Sequence, residues 1–92
     1  MTNAAMARAK FEELLAQEAE MQKFVVDADA FTRRTIADVS LEALFTDGPF
    51  QGKSWIDVYK EMQETRQKLS RIRYPLKEAE FEAICLESLE SH

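Results

Sequence analysis

Along the first two dozen positions apolar residues return at alternating spacings of four and three: Ala7, Phe11 and Leu14, then Met21 and Val25, with Glu18 standing where another apolar residue would fall. That period is one face of an α-helix, and Asn3 is a suitable N-cap, so the pattern predicts a first helix over 3–24. The segment Val25-Val26-Asp27-Ala28-Asp29 interrupts the stripe. Asp27 or Asp29 can cap a second helix over 30–46, which carries Phe31, Thr35, Ile36 and Val39. Ser40 either belongs to it or opens a separate turn before Leu41, Leu44 and Phe45.

Glycine occurs only at Gly48 and Gly52 and proline only at Pro49 and Pro75, so chain-breaking signals fall in two places. Thr46-Asp47-Gly48-Pro49 reads as a turn and Pro49 to Lys53 as a short loop. Ser54 followed three residues later by Asp57 is an N-terminal capping arrangement, and it opens a third helix over 54–73. Trp55, Val58, Tyr59, Met62, Leu69 and Ile72 share one face of that helix, with Thr65 and Arg66 in the same stripe. Tyr74 precedes a proline and is biased away from the α region, so the helix is expected to stop there, with Pro75 leading into a fourth helix over 76–90. No repeat is present and no period-two alternation is long enough for a strand. The expectation is an all-α fold, a small helical bundle of three to four helices with the first and third long, in a single domain 1–92.

Composition narrows the class. A chain of 92 residues with 46% apolar positions can bury a core, and it lies well above the apolar content at which charged chains stay disordered. A lone Cys85 excludes a disulfide framework, and with His92 it leaves one thiol and one imidazole, too few for a structural zinc site. No run of 18 apolar residues and no apolar leader segment occurs, which points to a cytoplasmic, intracellular protein without a membrane span. The net charge of −5 is unevenly spread. Residues 60–77 hold six bases and two acids, and residues 78–92 hold five acids and no base.

Candidate chemistry is thin. Gly48 to Ser54 ends in Gly-Lys-Ser like a phosphate-binding loop, but its first glycine is one residue too close and no strand leads into it, so it reads as a helix–helix turn. The carboxylates sit mostly outside the apolar stripes, and Cys85 shares a stripe with Phe81 and Ile84 as a small core residue. The sequence therefore argues against an enzyme, a metal, a cofactor or a small-molecule substrate. Glu18 and Arg66, each inside an apolar stripe, either pair across parallel first and third helices or snorkel to water.

Two surfaces remain. The basic segment Lys60, Arg66, Lys68, Arg71, Arg73 and Lys77 offers phosphate contacts for a nucleic-acid-binding regulator, with neutralisation by an acidic helix folded back on it as the opposing reading. The fourth helix has two apolar seams: Phe81, Ile84, Cys85 and Leu89, assigned to the core, and Leu76, Ala79, Ala83 and Leu86 on the nearly opposite side, assigned to a partner. The function expected first is a protein–protein interaction module, an adaptor, assembly factor or inhibitor, that binds a protein partner or itself as a homodimer. Nucleic-acid binding is the alternative.

Overall fold

The computed structural model describes residues 2–37 and 40–91. Two long helices account for most of them, α1 (Asn3–Thr35) and α2 (Trp55–Glu90). The all-α expectation holds, whereas the division into three to four helices does not. By contact the chain separates into two compact units, a terminal unit of Met1–Glu20 with Lys68–His92 and a central unit of Met21–Gln67.

The predicted break at 25–29 is absent because α1 runs straight through it. Asp27 and Asp29 are good caps in isolation, but here Ala28 is fully buried between them, and Asp29 takes ion pairs from Arg33 one turn on and from Arg66 of α2. Burying the helix face outweighs the weak local preference for a stop. The N-cap lies one residue earlier than expected: the Thr2 hydroxyl, not Asn3, accepts from the Ala5 N–H at 3.0 Å. At the other end α1 stops at Thr35, so the predicted helix over 30–46 loses its second half, and Val39 lies outside the described residues. The Trp55 indole N–H donates to the Thr32 carbonyl at 3.0 Å, a second donor to an oxygen that also accepts from the Ile36 N–H at 3.1 Å, and so ties the last turn of α1 to the start of α2.

Residues 40–54 form a tight connection instead of a helix. Phe45 donates its N–H to the Lys53 carbonyl at 2.8 Å and accepts from the Gly52 N–H at 2.9 Å. Gly48 and Gly52 take φ of 84° and 85°, a region open to glycine and costly for other residues, and these turns let the chain reverse over eight residues. The reversal aims both Phe45 and Phe50 at α1. Ser54 and Asp57 then cap α2 reciprocally, as their spacing predicts: Ser54 N–H to Asp57 Oδ2 at 3.3 Å and Asp57 N–H to Ser54 Oγ at 3.2 Å.

The second predicted break is absent too. Pro75 sits inside α2, which continues to Glu90. A proline there withholds one backbone donor and crowds the preceding turn, at a cost of about 3 kcal/mol. Ile72 on one side and Ala79 and Ala83 on the other are all buried, so ending the helix at Tyr74 would break a continuous seam. Pro75 itself and Arg71, whose carbonyl loses its partner, lie on exposed turns where water can reach them.

Each unit is held by a different kind of contact. In the central unit, Ala28, Phe31, Phe50, Val58 and Met62 form the core, with Phe24, Val25 and Phe45 packed against it. Phe31 meets Phe45 edge-on at 4.8 Å and Phe50 at the same centroid distance. In the terminal unit the two helices run antiparallel: the Ala4 N–H donates to the Glu90 carboxylate at 3.3 Å, and Arg8 forms an ion pair with Glu87. Among the described residues the buried apolar side chains there are small, Ala4, Ala7, Ala79 and Ala83, with Ile72 the one large exception. Small residues on both sides let two helix backbones approach closely.

Glu18 and Arg66, for which the sequence leaves pairing and snorkelling open, belong to different units. Arg66 donates to Asp29 at 3.4 Å, and Glu18 is half-buried in the terminal unit.

Candidate protein-binding face

The two seams of the C-terminal segment exchange places relative to the sequence reading. Ala83 is 0% exposed and Ala79 is also buried, with Leu76 and Leu86 half-buried, so this set faces α1 inside the terminal unit. Lys10 lies beside Ala79 and Glu82, and Met6 and Ala7 beside Leu86, which places the N-terminal turns of α1 over the seam. The set assigned to the core is at the surface: Phe81 is 71%, Ile84 51% and Leu89 72% exposed.

The reason lies in the phase of the helix. If α2 stops at Tyr74, its C-terminal part can be rotated freely, and the larger side chains are the natural core. With α2 unbroken, the stripe through Trp55, Val58, Met62, Leu69 and Ile72 continues at spacings of three and four onto Leu76, Ala79, Ala83 and Leu86. Phe81, Ile84 and Leu89 are then carried to the opposite side. The same phase brings Tyr74, 72% exposed, onto the outer face with Phe81, and the half-buried free thiol of Cys85 falls between Phe81 and Leu89. The proline that follows Tyr74 signals a helix end, and that signal hides the outward position the residue takes on an unbroken α2.

A surface helix in water normally shows polar side chains on its outer face. Four large apolar side chains within about four turns, at positions 74, 81, 84 and 89, form a patch of the kind that marks contact with another surface. At about 100° per residue the basic Arg71 and the acidic Glu78 and Glu82 fall along one edge of this face, and Arg73, Lys77 and Glu80 along the other. All six are exposed.

The basic residues do not gather into a groove or stripe. Lys60 and Arg66 belong to the central unit, where Arg66 is bonded to Asp29, and Lys68, Arg71, Arg73 and Lys77 belong to the terminal unit, where they point to several sides of α2. The acidic residues after Lys77 do not fold back over them, since both are consecutive lengths of one helix. Glu87 and Glu90 turn instead to the start of α1. The Arg8 bond to Glu87 holds that carboxyl below its ordinary range and raises the guanidinium further. Glu90, by capping the Ala4 N–H, also places negative charge at the positive end of the α1 dipole.

In the central unit a groove of about 470 Å³ lies between α1 and the 40–54 connection, walled by Phe24, Phe31, Pro49 and Phe50. Of the two cations at its edge, Lys53 is bonded to Glu61 and Arg34 lies 5.7 Å above the Phe31 ring. The Gly-Lys-Ser sequence thus has other work: Gly52 turns the chain, Lys53 braces α2 and Ser54 caps it. Among the described residues no three His, Cys, Asp or Glu side chains come together as a metal-binding group, and no helix is long and apolar enough to cross a membrane. Comparison with known protein families, curated proteins and solved structures finds no match to this chain.

Proposed function

We propose that this chain is a non-catalytic protein–protein interaction module, an adaptor, assembly factor or regulator, that works through the outer apolar face of α2. The observation that carries this reading is the exposure of Tyr74, Phe81, Ile84 and Leu89 on the side of α2 opposite its buried seam. Leaving such side chains in water forgoes about 1.5 to 3 kcal/mol for each one that a partner would cover. The seam of Leu76, Ala79, Ala83 and Leu86 has a different task in this reading: it holds α2 on α1 so that the outer face is displayed on a rigid helix. A face of this kind resembles the anchor pattern of helix recognition, in which side chains one and two turns apart enter a complementary groove.

The test is a photoreactive phenylalanine analogue placed at Phe81 and, as a control, at the exposed Glu64. A covalent adduct with a specific protein, formed from position 81 and not from position 64, is the expected result. Equal labelling from both positions, or none from 81, overturns the reading.

A further inference from the structure

We infer that the central unit holds a second docking site, separate from the outer face of α2, whose occupant is a peptide segment of another protein with a large apolar residue beside an acidic one. The site is a cleft of about 390 Å³ between the end of α1 and the start of α2, and every residue that lines it belongs to the central unit. Buried Met62 and the stacked rings of Trp55 and Tyr59 line it from α2, and Ile36 lines it just past the end of α1. A volume of this order holds a small ligand or one inserted side chain. Ile36 and Tyr59 are 53% and 42% exposed, so a ligand that fills the cleft alone leaves apolar surface in water, whereas a longer segment covers it.

Charge selects the acidic neighbour. The ionisable groups of the cleft besides Tyr59 are two arginines and one aspartate. Asp29 accepts from the Arg33 Nε at 3.2 Å and from the Arg66 Nη2 at 3.4 Å, and among the described residues neither guanidinium makes another hydrogen bond. Each guanidinium carries five N–H donors, so both terminal amino groups of Arg33 stay open to a carboxylate in the forked geometry that arginine favours. The negative end of α1 and the positive end of α2 lie side by side here, joined by the Trp55 bond to Thr32. Their dipoles oppose each other, and the arginines set the sign. The cleft thus keeps one surplus positive charge in a chain of net charge −5. One surplus charge matches one carboxylate, whereas a nucleic-acid strand is held by a track of cations.

The full chain is titrated, by fluorescence anisotropy, against labelled pools of capped pentapeptides whose central leucine or phenylalanine is flanked by glutamates, by glutamines or by lysines. The glutamate pool is expected to bind about tenfold more tightly than either of the others, and the double variant Arg33→Gln, Arg66→Gln to lose about tenfold of that affinity. Arg34→Gln removes an equal charge one residue away and should change it by no more than about twofold. Circular dichroism melts show that each variant is folded, and Arg33→Gln alone, at a side chain 79% exposed, keeps the test readable where the double variant is not. Equal affinity for the glutamate and glutamine pools, no binding of the glutamate pool at millimolar concentration, or an equal loss from Arg34→Gln overturns the inference. Tighter binding of a labelled single-stranded oligonucleotide overturns it as well and gives the cleft to nucleic acid. Phe81 takes no part in this site, so any of these failures leaves the outer face of α2 to its own photoreactive test.

Discussion

The terminal unit joins its helices through Ala4, Ala7, Ala79 and Ala83, whereas the central unit joins its own through Phe31, Phe45, Phe50, Val58 and Met62. Both bring α1 against α2, the central unit with Phe45 and Phe50 of the 40–54 connection added, and the physical terms differ. A buried alanine methyl contributes about 0.8 kcal/mol, and a buried phenylalanine or methionine about two to four times that. The alanine seam gains instead from proximity of the backbones and from the ends of the helices, where Arg8, Glu87, Glu90 and the Ala4 N–H satisfy one another. Stability is thus concentrated around Phe31, and the terminal unit holds α2 in place with little apolar area to spare.

The sharpest way to break this contrast is at Phe31, whose ring touches two others. Phe31→Ala should lower the stability of the central unit by about 3 to 5 kcal/mol in urea unfolding. A loss below about 1 kcal/mol would mean that the aromatic cluster does not carry the unit.

A smaller effect sharpens the other side of the comparison. Ala83→Leu, which forces a larger side chain into the seam against α1, should cost about 1 to 3 kcal/mol, while Phe81→Ala at monomeric concentration should stay within about 0.5 kcal/mol. Thermal melts of the two variants decide which side of α2 is inside. The reverse ranking would restore the arrangement read from the sequence.

The smallest expected effect is a pH dependence at the open end of the terminal unit. The folded-state pKa of Glu87 lies below its ordinary 4.5 because Arg8 bonds the carboxylate. Its contribution is therefore complete above pH 4.5 and fades as the pH falls through the lowered value. Glu87→Gln should flatten that part of the stability profile and leave the neutral region nearly unchanged, as followed by melting temperature between pH 2 and 7.

The sequence errors share one cause. Asp27, Asp29 and Pro75 are real stop signals in a short window, and each was read with its local meaning. What overrides them is burial on a partner helix, which a single stripe of residues does not reveal. Signals that act within one turn survived: the Ser54–Asp57 cap and the turn at Gly48 appear where their spacing puts them. Phe50 lies in a loop and is nevertheless buried; a large aromatic side chain between two glycines is itself a hint that the loop folds inward. The candidate face was half legible. Its two seams were both found, but their roles depend on the phase of α2 across Pro75, and that phase becomes visible only when the stripe from Trp55 onward is extended unbroken.

Trp55, the single tryptophan, donates to the last turn of α1 and stacks on Tyr59 with ring planes 8° apart and centroids at 5.3 Å. Its fluorescence is therefore a built-in reporter of one place, the junction where α1 ends against α2 in the central unit. Separation of that junction exposes the indole to water and shifts its emission to the red, while far-ultraviolet circular dichroism sums helix over the whole chain. The two optical signals taken on one sample distinguish fraying of the alanine seam, which leaves the indole dark to the event, from opening of the aromatic core, which both must register.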